Sequence, residues 1–239
     1  MQPWEYPGHT LPSIGNVHYQ KRYHAHRLSM TSSSSVHLPS LNEIRKSSSG
    51  DGWTALKMVV STLFEHSPVL DEHLVPNLAS PPSPTPTSYT DLIDRSAAII
   101  RSWPSVLRSA FISGHPRIGE QNPKQLSALS AAEQARYSTP AWVIERLGWL
   151  NEVYERRYEG LRYITFVNGR TRTEVMEEME SALGVSKAQG SGWKEVEVEV
   201  SLVAGRVEVS EEEWSRELER AVGEVILIAK DRVRKLGLD

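Results

Sequence analysis

The sequence predicts an all-α protein: a single helical-bundle domain over residues 38–239, with a small inserted β-hairpin near 195–209 and a disordered extension over 1–37. Three observations predict this. After Leu38, apolar residues recur at three- and four-residue spacing, the period of helices that bury one face. Stretches rich in Pro and Gly, such as ASPPSPTPTS (79–88) and GHPRIGEQNPKQ (114–125), interrupt that pattern where helices must end. Period-two alternation occurs once, where Val196, Val198, Val200 and Leu202 interleave with Glu195, Glu197, Glu199 and Ser201.

The elements follow in order. Residues 1–37 hold Pro, Gly, His and Tyr and the Ser32–Ser35 tract, with no acidic residue between Glu5 and Glu43. Such a stretch buries too little apolar surface to offset its ordering entropy, so disorder is expected. The simpler reading is a start-site extension ahead of Met30; an acid-poor transit peptide is the alternative. Leu41 and Ile44, then Leu56, Val59, Val60, Leu63 and Phe64, fall at helical spacing. Thr90 is expected to cap a helix to about Trp103, with Leu92, Ala97, Ile100 and Trp103 on one side. Pro104 suits either a break or the first turn of the next helix, over 105–112. After the 114–125 loop, a short helix starts at Ser130 and ends before Pro140. A longer one spans 140–158, with Val143, Leu147, Leu150, Tyr154 and Tyr158 on its stripe. Residues 161–168 (LRYITFVN) read as extended and buried, and 173–183 as helical. Ala204-Gly205 turns the hairpin. Ser210 and Glu213 form a capping box that opens a long last helix bearing Trp214, Leu218, Ala221, Val225 and Ile228. No internal repeat is visible.

Composition narrows the function. A length of 239 residues suits one sizeable domain, and a formal charge of −3 gives no basic field for nucleic acid. The absence of cysteine removes disulfides, thiolate nucleophiles, Fe–S clusters and Cys-type zinc sites. No run of about 18 apolar residues exists, and the first residues lack a secretory core, so a soluble intracellular protein is expected.

Three features carry chemistry. His115-Pro116-Arg117 lies in a Gly/Pro-framed loop after an apolar helix, where a rigid scaffold can present a group that titrates near neutrality. A lone loop histidine is more often a surface residue. Ser130 and Glu133 have the S-x-x-E spacing of a capping box, yet a capped helix start also aims free N–H groups at an anion. Arg232 lies eighteen residues after Trp214, five helical turns, and therefore continues the apolar stripe of the last helix. An arginine there must be paired, border a cavity or snorkel from the helix end. Arg232→Leu would extend the stripe and is expected to stabilise the unliganded chain.

HPRIGE (115–120), S-x-x-E-Q (130–134), LNEVYERRY (150–158), NGR (168–170) and EVILIAKDRV (224–233) occur in that order. Together they resemble the family of 2-oxo-4-hydroxy-4-carboxy-5-ureidoimidazoline (OHCU) decarboxylases, over about residues 38–238. The chain departs from the family pattern at ARYSTP (135–140), at Tyr158-Glu159-Gly160, and at ESALGV (180–185). The resemblance implies an all-α fold that is commonly a homodimer, with no metal or organic cofactor. It implies loss of carbon dioxide from OHCU, an unstable product of urate oxidation, to give (S)-allantoin. The matching positions are His115 and Glu133 as catalytic residues, with Pro116, Ser130, Gln134 and Arg232 binding substrate.

Two other readings stay open: a helical interaction protein that has lost the activity, and a hydrolase using His115 and Glu133 on a related ureide. A histidine metal site is not expected, because the other seven histidines all precede residue 74. The C-terminal Gly237-Leu238-Asp239 is not an SKL-type address, and both cytoplasm and peroxisome stay open.

Overall fold

The computed structural model describes residues 37–46, 53–80, 85–134, 138–196 and 210–238. Helices α1 (Leu41–Lys46), α2 (Trp53–Phe64) and α3 (Val75–Ala79) come first. A widened π turn, Leu70–Leu74, leads into α3, where Pro76 has no N–H to give to a regular ladder. Next come α4 (Tyr89–Ser102), α5 (Ser105–Ser113), α6 (Ala128–Gln134), α7 (Ala141–Arg157), α8 (Arg172–Leu183) and α9 (Glu211–Lys235). Helix α9 packs against α2, α4 and α5, while α7 packs on α8.

Periodicity located the buried faces. Val143, Leu147 and Leu150 of α7 are fully buried, as are Leu218, Ala221, Val222 and Ala229 of α9. Truncating one such leucine to alanine would cost about 2–5 kcal/mol through lost burial and the cavity left behind. Caps set the helix starts. Thr171 and Glu174 form a reciprocal capping box at α8, and Ser210 Oγ accepts the Glu213 N–H at α9. At α4 the cap is Ser88, not Thr90: Ser88 has extended backbone and its Oγ accepts the Asp91 N–H at 3.0 Å. Thr90 lies inside the first turn.

Residues 161–167 run between α7 and α8 without a helix or a strand ladder, so side chains must satisfy their backbone. Arg220 donates to the Ile164 carbonyl at 2.8 Å, and Glu224, one turn further along α9, accepts the Phe166 N–H. This segment becomes a wall of the site.

The expected β-hairpin is not supported. Residues Gly190–Val196 form a 3-10 turn, which takes in Glu195 and Val196, and no strand occurs among the described residues. Trp193 anchors that turn. It is buried beside Trp149, and the Arg146 guanidinium lies 4.3 Å from the Trp149 ring and 4.9 Å from the Trp193 ring. Arg146 in turn pairs with the buried Glu180 at 2.9 Å. The rest of the hairpin reading, at 197–209, and the expected disorder at 1–36 lie outside the described residues.

Candidate active site

Helix α5 delivers the histidine. It ends at Gly114, where a Cβ would stand 3.1 Å from the Ser67 Cβ, tighter than nearly all real contacts. The next residue, His115, folds back so that Nδ1 lies 3.0 Å from the Phe111 carbonyl, one turn earlier. Its ring meets Phe111 edge-on at 4.9 Å. A carbonyl only accepts, so Nδ1 carries the hydrogen and Nε2 presents a lone pair. His115 is only 6% exposed, and Nε2 meets no hydrogen-bond partner among the described residues. Burial pushes its pKa down to about 4; the Phe111 carbonyl and the Glu65 charge oppose this, while Arg232 and Arg162 add to it. The imidazole is therefore neutral at pH 7.

The motif around His115 is a braced loop. Arg162 donates to the His115 carbonyl, and Asn151 on α7 donates to the Ile118 carbonyl at 3.0 Å. The fork of Arg117 closes on Glu155 at 2.8 and 2.6 Å. The LNEVYERRY segment thus supports HPRIGE through Asn151 and Glu155.

Helix α6 supplies a hydroxyl and a carboxylate. Ser127 Oγ accepts the Ser130 N–H at 3.1 Å, so Ser127 sits at the cap position and the S-x-x-E of Ser130 and Glu133 is not a capping box. Being one turn inside, Ser130 and Glu133 face the cavity together, three residues apart on one helix face. Arg232 on α9 meets them. Its Nε and Nη2 grip Glu133 at 3.1 and 3.0 Å, and Nη2 also reaches Ser130 Oγ at 3.0 Å and Glu65 Oε1 at 2.6 Å. Nη1 donates to the Thr62 and Leu63 carbonyls at 3.1 and 3.2 Å, which are orphan acceptors at the end of α2.

Glu65 was not singled out by the sequence. It follows α2 with φ of +63°, a left-handed backbone that a non-glycine residue adopts rarely and that tends to occur at functional sites. Both Ser127 and Ser130 hydroxyls donate to its Oε1, at 2.8 and 2.7 Å. Burial alone would raise its pKa, but the Arg232 charge and the two hydroxyls outweigh burial and hold the carboxyl below its ordinary value. Apolar periodicity does not register a carboxylate placed just past a helix end. The only sequence signal was a charge squeezed between Leu63-Phe64 and Ser67-Pro68.

His115, Pro116, Ser130, Glu133 and Arg232 all line one cavity of about 190 Å³, together with Glu65, the 163–167 wall and the start of α8. Arg232 is 3% exposed and lies on the core-facing side of α9, the direction its spacing predicts. Its fork, however, is filled by protein carboxylates and is not open for a ligand's anionic edge. The Gln134 side chain lies outside the described residues. Among the described residues, no three His, Asp or Glu side chains cluster so as to hold a metal ion. No helix among them is long and apolar enough to cross a membrane.

The family model described as OHCU decarboxylase matches residues 54–192. No curated protein and no solved structure matches the chain. The matched span takes in Glu65, His115, Ser130 and Glu133, and it stops before Arg232, which joins them through the packing of α9 on α2. The match spans more than half of the chain and holds the histidine and both carboxylates of the cavity, and the chain belongs to the OHCU decarboxylase family, lyases of urate degradation.

Proposed function

We propose that the chain converts OHCU to (S)-allantoin and carbon dioxide, with His115 moving the proton. The observation that carries this reading is the unprotonated Nε2 of His115, which lines the cavity and has no partner among the described residues. In the substrate a carboxylate and a hydroxyl share one carbon, next to a ring C=N. When the bond to the carboxyl carbon breaks, carbon dioxide leaves, the electron pair forms a double bond between the two ring carbons, and the former C=N nitrogen takes up a proton. The hydroxyl proton departs as a carbonyl forms, and a proton added to the ureido-bearing carbon sets the hand of the product. Overall, one substrate anion and one proton give one allantoin and one carbon dioxide.

His115 Nε2 accepts the hydroxyl proton, and the nearby Glu65 charge stabilises the imidazolium as it forms. Glu133, held by Arg232 but 28% exposed, accepts N–H groups of the ureido arm. Ser130, Pro116 and Gln134 complete the substrate contacts. Arg232 acts by fixing the two carboxylates in place.

The test is a chiral product assay on freshly generated OHCU. Optically active (S)-allantoin formed faster than the spontaneous reaction supports the reading. Release of ammonia or urea in place of carbon dioxide would instead favour a hydrolase.

A further inference from the structure

Helix α6 brings Ser130 and Glu133 to the cavity without an apolar anchor. Among its described residues Ser130 is buried, while Leu129 and Ala131 are half-buried and stand outside the hydrophobic core. Helices α7 and α9, by contrast, each bury a stripe of apolar side chains. What docks α6 is polar and converges on two residues. Glu65 accepts the Ser127 and Ser130 hydroxyls at 2.8 and 2.7 Å, and Arg232 donates to Ser130 Oγ and to both oxygens of Glu133. Glu65 itself holds a φ of +63°, a strained backbone that persists only where the surroundings over-determine it. On either side of α6 the chain is fixed independently. Asn151 holds the Ile118 carbonyl at 3.0 Å, and α7 starts at Ala141 on its own buried stripe. A helix of seven residues is not stable alone, and an element with few buried apolar contacts opens locally before the rest of a fold does.

We propose that α6 is a lid over the cavity and that Glu65 is the positioning residue that docks it. The helix lifts off Glu65 and Arg232 to admit the substrate, then docks again to set Ser130 and Glu133 against it. This rests on the decarboxylase reading above and adds how that site opens. The Glu65 carboxylate suits the part, because its Oε1 gathers both hydroxyls and the Arg232 Nη2 at 2.6 Å. Ser127 is the second positioning residue. It is not among the residues that line the cavity, and its Oγ joins α6 to Glu65 while accepting the Ser130 N–H. A ligand that touches Glu133 binds the docked state, so it holds the lid shut.

The test is hydrogen exchange of the full chain, read by mass spectrometry with and without allantoin, beside steady-state kinetics on OHCU. Without ligand, the α6 amides should exchange at least about a hundredfold faster than those of α7 and α9. Allantoin at about ten times its dissociation constant should slow α6 by about tenfold. Ser127→Ala should speed α6 by about tenfold, the worth of one hydrogen bond to a charged group. Ser127→Thr, which keeps the hydroxyl, should restore it. Glu65→Gln should speed α6 at least as much as Ser127→Ala, because it takes the charge from every bond made there. In Ser127→Ala, KM for OHCU and the inhibition constant of allantoin should rise together by up to about tenfold, since both ligands need the docked helix. The kcat should stay within about threefold, because the docked complex is unaltered; a general loss of stability would move neither constant. Protection of α6 equal to that of α7 and α9, an α6 rate indifferent to both substitutions, or a KM that rises without the allantoin constant overturns the assignment. A protein that keeps this exchange pattern but turns over no OHCU defeats the functional reading, whereas turnover with α6 protected like the core defeats the lid.

Discussion

Replacing Arg232 by leucine separates the periodicity argument from the structural one. On spacing alone, leucine extends the apolar stripe of α9 and should stabilise the chain. The structure reverses the sign. Arg232 is 3% exposed and is the positive charge between Glu65 and Glu133; it also donates to two terminal carbonyls of α2. Removing one partner of a buried pair leaves an uncompensated charge and costs about 3–5 kcal/mol. The leucine returns little, because the arginine stem already covers apolar surface. A net loss of about 3 kcal/mol in a domain of this size lowers the melting temperature by about 10 °C. Differential scanning calorimetry at pH 7 measures it. Adding Glu65→Gln to the leucine variant should recover part of the loss, since the stranded carboxylate is then neutral. A melting temperature equal to or above that of the unsubstituted chain would refute the reasoning.

Three further outcomes are expected. His115→Asn keeps an N–H for the Phe111 carbonyl, so it should fold, yet turnover should fall by about two to four powers of ten; near-normal turnover removes His115 from the chemistry. Glu133→Gln loosens the Arg232 fork without uncapping α6, whose Ser130 N–H bonds to Ser127, so activity should fall at least a hundredfold with about 1–2 kcal/mol of stability. An unchanged rate would return Glu133 to a purely structural role. The third outcome concerns pH. His115 has a folded pKa of about 4 against 6.5 ordinarily, so between those values the unfolded chain binds the extra proton and acid destabilises the fold. This contribution is complete above pH 6.5 and lost as pH falls towards 4; at about 1.4 kcal/mol per pH unit it reaches about 3 kcal/mol. Glu65, also lowered, continues the loss below its own ordinary value of 4.5. NMR of the His115 ring should show no titration from pH 8 to 5, and a midpoint near 6.5 would contradict the buried, neutral imidazole.

Much of the fold was legible because amphipathic helices announce themselves by spacing. The stripe on α9 fixed the direction of Arg232, and the Ser210–Glu213 spacing marked a true helix start, whereas the Thr171–Glu174 box was not read and its helix was expected to begin at 173. Local signals misled where two residues could play one part. Ser88 and Thr90 are both caps by type, as are Ser127 and Ser130, and only the backbone geometry distinguishes them. Alternation of Val with Glu near 196 matched a strand, while Trp193 found its burial against Arg146 and Trp149 in a 3-10 turn. The candidate site was half legible. His115, Ser130 and Glu133 stood in motifs, but Glu65 lies 50 residues before His115, and its role depends on tertiary contacts with Ser127, Ser130 and Arg232. Arg232 faces the side its spacing gives, and its pairing with Glu65 and Glu133 was not legible, because spacing gives a direction and does not reveal which carboxylates wait there.

The central claim is that His115 moves a proton during decarboxylation in the cavity it lines with Glu65 and Glu133. The most direct measurement follows freshly generated OHCU by circular dichroism with the unsubstituted protein and with His115→Asn. The account predicts a rapidly growing signal of (S)-allantoin with the former, and slow, optically inactive product with the latter, matching the uncatalysed reaction. Racemic allantoin at the spontaneous rate from both, with each shown to be folded, would contradict it.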